Sequence, residues 1–372
     1  MRKVAGVCMW VALACVVLAV AAVPAAAREA PSARVGAYYF DGWSGPLTAP
    51  HFQGMVGGPF SDRRPLYGWR DAKPPTMARQ LGWARGAGIG FFLFQWFHNP
   101  RATIYPYLGT GLANYRRLRD RRGVGFAIDY VNGAGPDANF IVPRQSWRAV
   151  ARRWARDFAD PGYVRVRGKP LFVIHDTASF TAQWGGTAGV NRALATLRQV
   201  ARRRGLPGVF VVGGVHVDHQ YDWAAFPAPI AGQRYDAITQ FAYPEVVEPR
   251  IGAARPFRDL FLAERANWNR YAAETPVPYI PDVMAGWDSR PWAGRTDGRD
   301  LFWFERSPAD VGRFLRAAVR WVRGHPAMRV GRRPLVLLAS WNELGEGHFV
   351  VPTVGSRFSY LKAVAAALGV SR

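Results

Sequence analysis

Residues 335–347 read Leu335-Val336-Leu337-Leu338-Ala339-Ser340-Trp341-Asn342-Glu343-Leu344-Gly345-Glu346-Gly347. An unbroken apolar run leads straight into Trp-Asn-Glu, a second acid and two glycines. A run of this kind is what a strand covered on both faces requires, as in a parallel sheet. Seven further runs repeat the theme: Val35–Phe40, Ile89–Phe94, Val124–Ile128, Pro170–Ile174, Val209–Val212, Ala237–Phe241 and Val277–Ile280. Helical periodicity fills several of the gaps. In Ser146–Phe158, Trp147, Val150, Trp154 and Phe158 recur at three- and four-residue spacing with arginines between. Asn191–Arg204 and Pro308–Arg323 read alike, with Ser307 as an N-cap before Pro308. Met77–Ala87 is a shorter helix ending at Gly88, and Trp83, Trp147 and Trp154 belong to the core.

Strands alternating with helices predict an α/β fold. Eight of them favour a closed (β/α)8 TIM barrel in a single domain. An open doubly wound sheet is disfavoured because no Gly-x-Gly-x-x-Gly loop follows the first strand. No internal repeat or low-complexity linker divides the chain, and the Gly/Pro-rich stretch Asp41–Pro75 reads as a long first βα loop.

The chain begins Met1-Arg2-Lys3, continues apolar from Val4 to Val23, and reaches Pro24-Ala25-Ala26-Ala27. This is the pattern of a cleaved signal peptide over residues 1–27, so a secreted or periplasmic barrel over residues 28–372 is expected. An uncleaved membrane anchor is the rival reading, since about 20 apolar residues span a bilayer. Both cysteines, Cys8 and Cys15, lie in the leader. The mature protein therefore has no disulfide, thiolate nucleophile or cysteine zinc site. The net charge is +23, and all but four of the 49 basic residues are arginines. They are scattered, which fits a compositional habit, although attraction to an anionic cell-surface polymer stays open. Export and the absence of a binding motif argue against nucleic acid.

In a barrel of this kind the active site lies at the C-terminal ends of the strands. The residues just past the runs include Tyr39, Asp41, Trp43, Gln95, Trp96, His98, Asp129, His216, Tyr243, Trp287, Arg290, Trp341 and Asn342. Aromatic faces, amides and carboxylates together suit sugar binding, so these are the candidate substrate contacts. Asp41 and Asp129 could equally cap the following helices, Tyr38 and Tyr39 alternate faces so that one packs in the barrel, and Tyr243 could be a rim aromatic. Glu343 and Glu346 are the candidate catalytic pair. Three apart on a helical turn, they would project to one side with Cβ atoms about 5–6 Å apart. Paired carboxylates raise each other's proton affinity, and retaining glycosidases hold theirs about 5–5.5 Å apart. A solvated loop with two acids is the plain alternative.

The segment Ser340–Pro352 resembles the Asn-Glu-Trp-x-Glu-Gly signature of glycoside hydrolase family 99 and its WbsX-like relatives. Val35–Phe40 with Trp43, Asp160–Pro170 and Gly286-Trp287-Asp288-Ser289-Arg290 resemble other segments of those proteins. The resemblance implies a (β/α)8 barrel with metal-free, retaining endo-action on α-mannosidic linkages. It makes Glu343 the base acting on the sugar's own 2-hydroxyl and Glu346 the general acid. Leu344 and Gly345 depart from the hydrolases and are closer to the WbsX-like branch, often labelled glycosyltransferase.

His216-Val217-Asp218-His219, with Asp176 or Asp282, could be read as a metal site. Residues three apart on an extended segment face opposite ways, however, so no metal is expected. The sequence reading is thus a secreted glycoside hydrolase without cofactor, acting on a glycan substrate. A WbsX-like glycosyltransferase or a non-catalytic sugar-binding barrel is the alternative. Sugar identity, linkage and oligomeric state are not encoded in any motif.

Overall fold

The computed structural model describes residues 32–101, 105–133, 139–224, 230–292 and 301–370; the expected signal peptide lies outside these. We number the barrel strands β1 (Arg34–Tyr39), β2 (Ile89–Phe97), β3 (Gly125–Val131), β4 (Lys169–Ile174), β5 (Phe210–Gly214), β6 (Ala237–Thr239), β7 (Asp282–Met284) and β8 (Leu335–Ala339). All neighbours run parallel, and β1 pairs with both β2 and β8. The ring closes between β6 and the residues before β7. Ile238 donates to Pro278 O at 2.9 Å, and Ile280 donates to Ile238 O at 2.8 Å. This is a (β/α)8 TIM barrel.

Among the described residues eight helices surround it: α1 (Pro74–Gly86), α2 (Thr110–Arg117), α3 (Trp147–Phe158), α4 (Thr177–Trp184), α5 (Thr187–Arg203), α6 (Phe257–Glu274), α7 (Pro308–Gly324) and α8 (Ser359–Leu368). Both α4 and α5 follow β4, and among the described residues no helix joins β5 to β6. Ser307 does cap α7: its hydroxyl accepts from Asp310 N–H at 3.2 Å, and Asp310 accepts from Ser307 N–H at 3.1 Å. Trp147 and Trp154 are buried to 2% exposure or less, while Trp83 is half-buried between Tyr67 and Phe358.

The seventh strand is displaced from its expected place. Val277–Ile280 contributes only the closing bridge at Tyr279, and the strand that pairs with β8 starts after Pro281, at Asp282. Pro278 and Pro281 lack the N–H that a regular ladder needs.

Register fixes which side chains face the lumen. Trp96 pairs with Tyr130, and both rings lie against Trp154 of α3, at 5.0 and 5.3 Å. That face is therefore the outer one, and Gln95 and Asp129, one residue back, point inward. Near the bottom, the ring of Phe91 fills the lumen beside Gly36. A Cβ on Gly36 would sit 2.1 Å from that ring.

Candidate active site

The chain leaves β8 through a cis Ala339–Ser340 peptide and folds back as a short antiparallel hairpin, Asn342–Glu343 against His348–Phe349. Glu343 and Glu346 thus sit on a hairpin, not on the helical turn that their spacing suggested. Gly347 makes the return with φ +73°, and a Cβ there would lie 2.7 Å from Asp288. Ser340 clasps the hairpin: its hydroxyl donates to His348 O at 2.7 Å and accepts from Glu343 N–H at 2.8 Å.

The hairpin is tied to the start of the chain. Trp341 N–H donates to Tyr38 O at 2.7 Å. The Asn342 amide pairs with the main chain of Phe40, accepting from its N–H at 2.8 Å and donating to its carbonyl at 2.9 Å. Trp43 Nε1 donates to Asn342 O at 2.8 Å, and Arg63 donates to Leu344 O at 2.8 Å. Beneath these contacts runs a buried polar relay. Trp341 Nε1 donates to Gln80 at 2.7 Å, Gln80 donates to Tyr39 Oη at 3.1 Å, and Tyr39 donates to Asp71 at 2.6 Å. Ser44 supplies the other Asp71 oxygen with a donor at 2.6 Å.

Several expected substrate contacts are therefore scaffold. Tyr39, Trp43, Trp341 and Asn342 are at most 1% exposed, with their polar atoms committed as above. Asp41 accepts from Gly111 and Leu112 N–H at 2.5 and 2.9 Å, so it caps α2. Burial and the charge of Asp71 push its carboxyl up to about 7. Trp96 points outward against α3, with His98 beside it at 6.0 Å. Tyr243 donates to Asp282 O at 2.6 Å and accepts from Met284 N–H at 3.0 Å, bracing β7. In each case the side chain follows the alternation of the strand or the needs of a neighbouring backbone, not its nearness in sequence to the barrel mouth.

The others converge. Glu343 is 8% exposed and, among the described residues, has no cation in contact; burial and the charge of Glu346 push its proton affinity well above the usual carboxylate range. Glu346 is more open and lies 2.6 Å from His348 Nε2. The ring of His348 is stacked by Trp287 at 5.9 Å and meets Phe241 at 5.7 Å. Phe241 in turn touches Tyr38 and His175, at 4.6 and 4.9 Å. His175 Nδ1 sits 2.7 Å from Asp129, which is fully buried. Burial alone would lower the His175 imidazole, but the Asp129 charge and hydrogen bond win, and its pKa is raised. His216, 6.1 Å from His175, is exposed at the mouth yet crowded by its neighbours; burial and the charge of His175 lower its pKa. Gln95 faces the same lumen. Arg290 is held by Asp288 beside the hairpin, at 2.8 Å through both Nε and Nη2.

Sequence reading did not carry Tyr38, His175, Ser340 or His348 forward as site residues, although His175 and His348 stand just past the fourth and eighth runs. The signal for His175 was its place directly after the fourth run; in the structure it stands two residues past Val173, the register partner of Asp129. Among the described residues no three His, Cys, Asp or Glu side chains form a metal-binding group. Asp176 instead caps α4, accepting from Ala178 and Ser179 N–H at 2.8 and 3.1 Å. His219 turns to Glu245 O at 3.1 Å.

Comparison with known proteins agrees with this architecture. A family model described as Glycosyltransferase WbsX matches residues 140–364. Uncharacterized protein WxcX of Xanthomonas campestris pv. campestris is 23% identical over 352 residues, covering 86% of this chain and 45% of that protein. The chain thus spans under half the length of the curated relatives it matches. Among solved structures, a glycoside hydrolase-like protein is 17% identical with a TM-score of 0.65, covering 95% of this chain and 98% of the other. The GH99 endo-alpha-mannosidase from Bacteroides thetaiotaomicron is 14% identical with a TM-score of 0.58, covering 90% and 96%. At these identities the structural likeness establishes the fold, and with the matching family model it makes this chain a member of the WbsX family, built on the barrel of glycoside hydrolases.

Proposed function

We propose that the protein is a secreted glycoside hydrolase, retaining and endo-acting on an α-linked, mannan-like or bacterial surface polysaccharide. The observation that carries this is the Glu343/Glu346 pair. One carboxyl is buried with raised proton affinity, the other is backed by His348, and both sit on a hairpin fixed at the barrel mouth. A carboxyl whose proton affinity is raised by burial and a neighbouring acid is suited to give or take a proton at a glycosidic bond.

Glu343 takes the proton of the sugar 2-hydroxyl while O2 attacks C1 and the C1–O bond to the leaving sugar breaks. Glu346 protonates that departing oxygen. Water then loses its proton to Glu346 and opens the anhydro ring at C1, and O2 recovers its proton from Glu343, so the anomer is retained. The high proton affinity of Glu343 makes it a strong base once ionised. The same property favours a second reading in which the roles are exchanged, because a carboxyl that keeps its proton is also a ready acid.

Sugar release from a panel of α-mannans and bacterial surface polysaccharides, with Glu343→Gln and Glu346→Gln beside the parent, tests the proposal. Each variant should lose about 10²–10⁴-fold. A glycoside with an activated leaving group separates the roles, since only the acid variant regains activity on it. An inverted product anomer sinks the retaining mechanism. No release from any polymer, with binding intact, leaves the transferase or the sugar-binding reading.

A further inference from the structure

Against Gly347 and Phe349 of the hairpin lies a cavity of about 460 Å³ whose lining includes neither Glu343 nor Glu346, within the ordinary range for small-ligand sites. Gly347 and Phe349 of the hairpin form one wall, Trp287 and Trp303 two others, and Ser356 and Ser359 the floor towards α8. Three arginines and three acids line it, so it is electrically balanced. The cations are also engaged. Arg63 and Arg290 share Asp288, and Arg290 lies 4.0 Å over the ring of Trp303. Arg306 donates to Ala285 O and Phe349 O, at 2.6 and 2.8 Å, between the rings of Phe349 and Tyr360. An anion entering here would have to displace existing contacts.

The lining also holds the indoles of Trp287 and Trp303, each with one face covered, by His348 and Arg290, the hydroxyls of Ser356 and Ser359, which bond within their own loop, and the hydroxyl of Tyr360. Apolar faces interleaved with both donors and acceptors complement a ring that is apolar on its C–H faces and polar around its edge. Trp287 is shared with the reaction centre: its ring stacks on His348, the partner of Glu346.

We propose that this cavity is an additional saccharide subsite, which takes a neutral hexose unit of a glycan outside the reaction cleft. The proposal rests on the carbohydrate-active reading above, but not on hydrolysis. Its test is calorimetric binding of neutral manno- and gluco-oligosaccharides of two to six units to the full chain carrying Glu343→Gln. Trp303→Ala in that background removes one aromatic wall and should weaken binding of the longer oligomers about tenfold. Ser356→Phe fills the cavity and should do the same, and it decides the matter if Trp303→Ala does not fold. Unchanged affinity in both variants, no binding of any neutral oligomer, or tighter binding of uronic acid oligomers than of neutral ones overturns the proposal. If the parent hydrolyses nothing yet Trp303→Ala and Ser356→Phe lose binding, the hydrolase reading fails alone. If hydrolysis proceeds and neither variant alters binding, the subsite fails alone.

Discussion

Replacing Asn342 with alanine should destabilise the protein rather than weaken substrate binding. The Asn342 side chain is fully buried and supplies both hydrogen bonds of the Phe40 main chain. Truncation leaves one N–H and one C=O without partners. Each such loss costs about 1–3 kcal/mol when water cannot replace the partner. Phe40 is only half-buried, so some replacement follows, and about 2–4 kcal/mol is expected for the two together. A chain of this length unfolds with an entropy of about 0.7 kcal/mol/K, so Tm should fall by roughly 3–6 °C. Asn342→Asp should fall at least as far, because it sets an acceptor against the Phe40 carbonyl. The assay is scanning calorimetry beside KM for whichever glycan the protein turns over. A Tm within about 1 °C of the parent together with a tenfold higher KM would refute the reasoning and make Asn342 a substrate contact.

Two further predictions concern buried charge. Glu264 is fully buried, accepts from Tyr279 Oη at 2.9 Å, and is pushed by burial from 4.5 up to about 8. The unfolded chain gives up this proton near 4.5 and the native protein near 8, so the group's contribution is complete below the first value and lost as pH rises through the second. The loss should amount to a few kcal/mol, and urea unfolding at pH 5 and 8 should show Glu264→Gln with a flatter profile; parallel profiles would count against it. His175→Phe leaves Asp129 buried without its counter-charge, at about 3–5 kcal/mol. Because the His175 pKa is raised, the parent's stabilisation from this pair is full below the ordinary histidine value and fades as pH climbs past the raised one. The variant should lack that component, and an unchanged unfolding curve at pH 6 would exclude the pair as a structural element.

The barrel was legible because seven of its eight strands are nearly pure apolar runs, which a parallel sheet buried on both faces calls for, and because helical patterns alternate with them. β7 was misplaced because its pairing residues begin with an acid, Asp282, while the apolar residues before it carry prolines. Helix α6 escaped notice for a related reason: its buried face is Phe257, Leu260, Glu264, Trp268 and Tyr271, with an acid in the middle of the stripe. At the candidate site, the acids Glu343 and Glu346 could be singled out by residue type, but the direction of a side chain could not. Trp341 and Asn342 sit beside Glu343 in sequence and turn away from the cleft to serve Gln80 and Phe40. His348 depends on a hairpin return, and His175 on a register across two strands. Their places just past the fourth and eighth runs show in the sequence, but these contacts do not.

The pairing of β1 with β8, and the anchoring of the hairpin to Tyr38, Phe40 and Trp43, join positions about 300 residues apart. As the polypeptide is synthesised, β1 can form its ladder with β2 early, but its other edge stays bare until nearly the whole segment has emerged. An unpaired strand edge held open that long invites association with other chains. The two carboxylates are consequently assembled in the same late event that seals the barrel. A chain stalled or cut short before residue 335 would carry most of the helices and strands while lacking the Glu343/Glu346 pair entirely, so fold content measured by circular dichroism is a poor guide to the fraction in which the hairpin is in place.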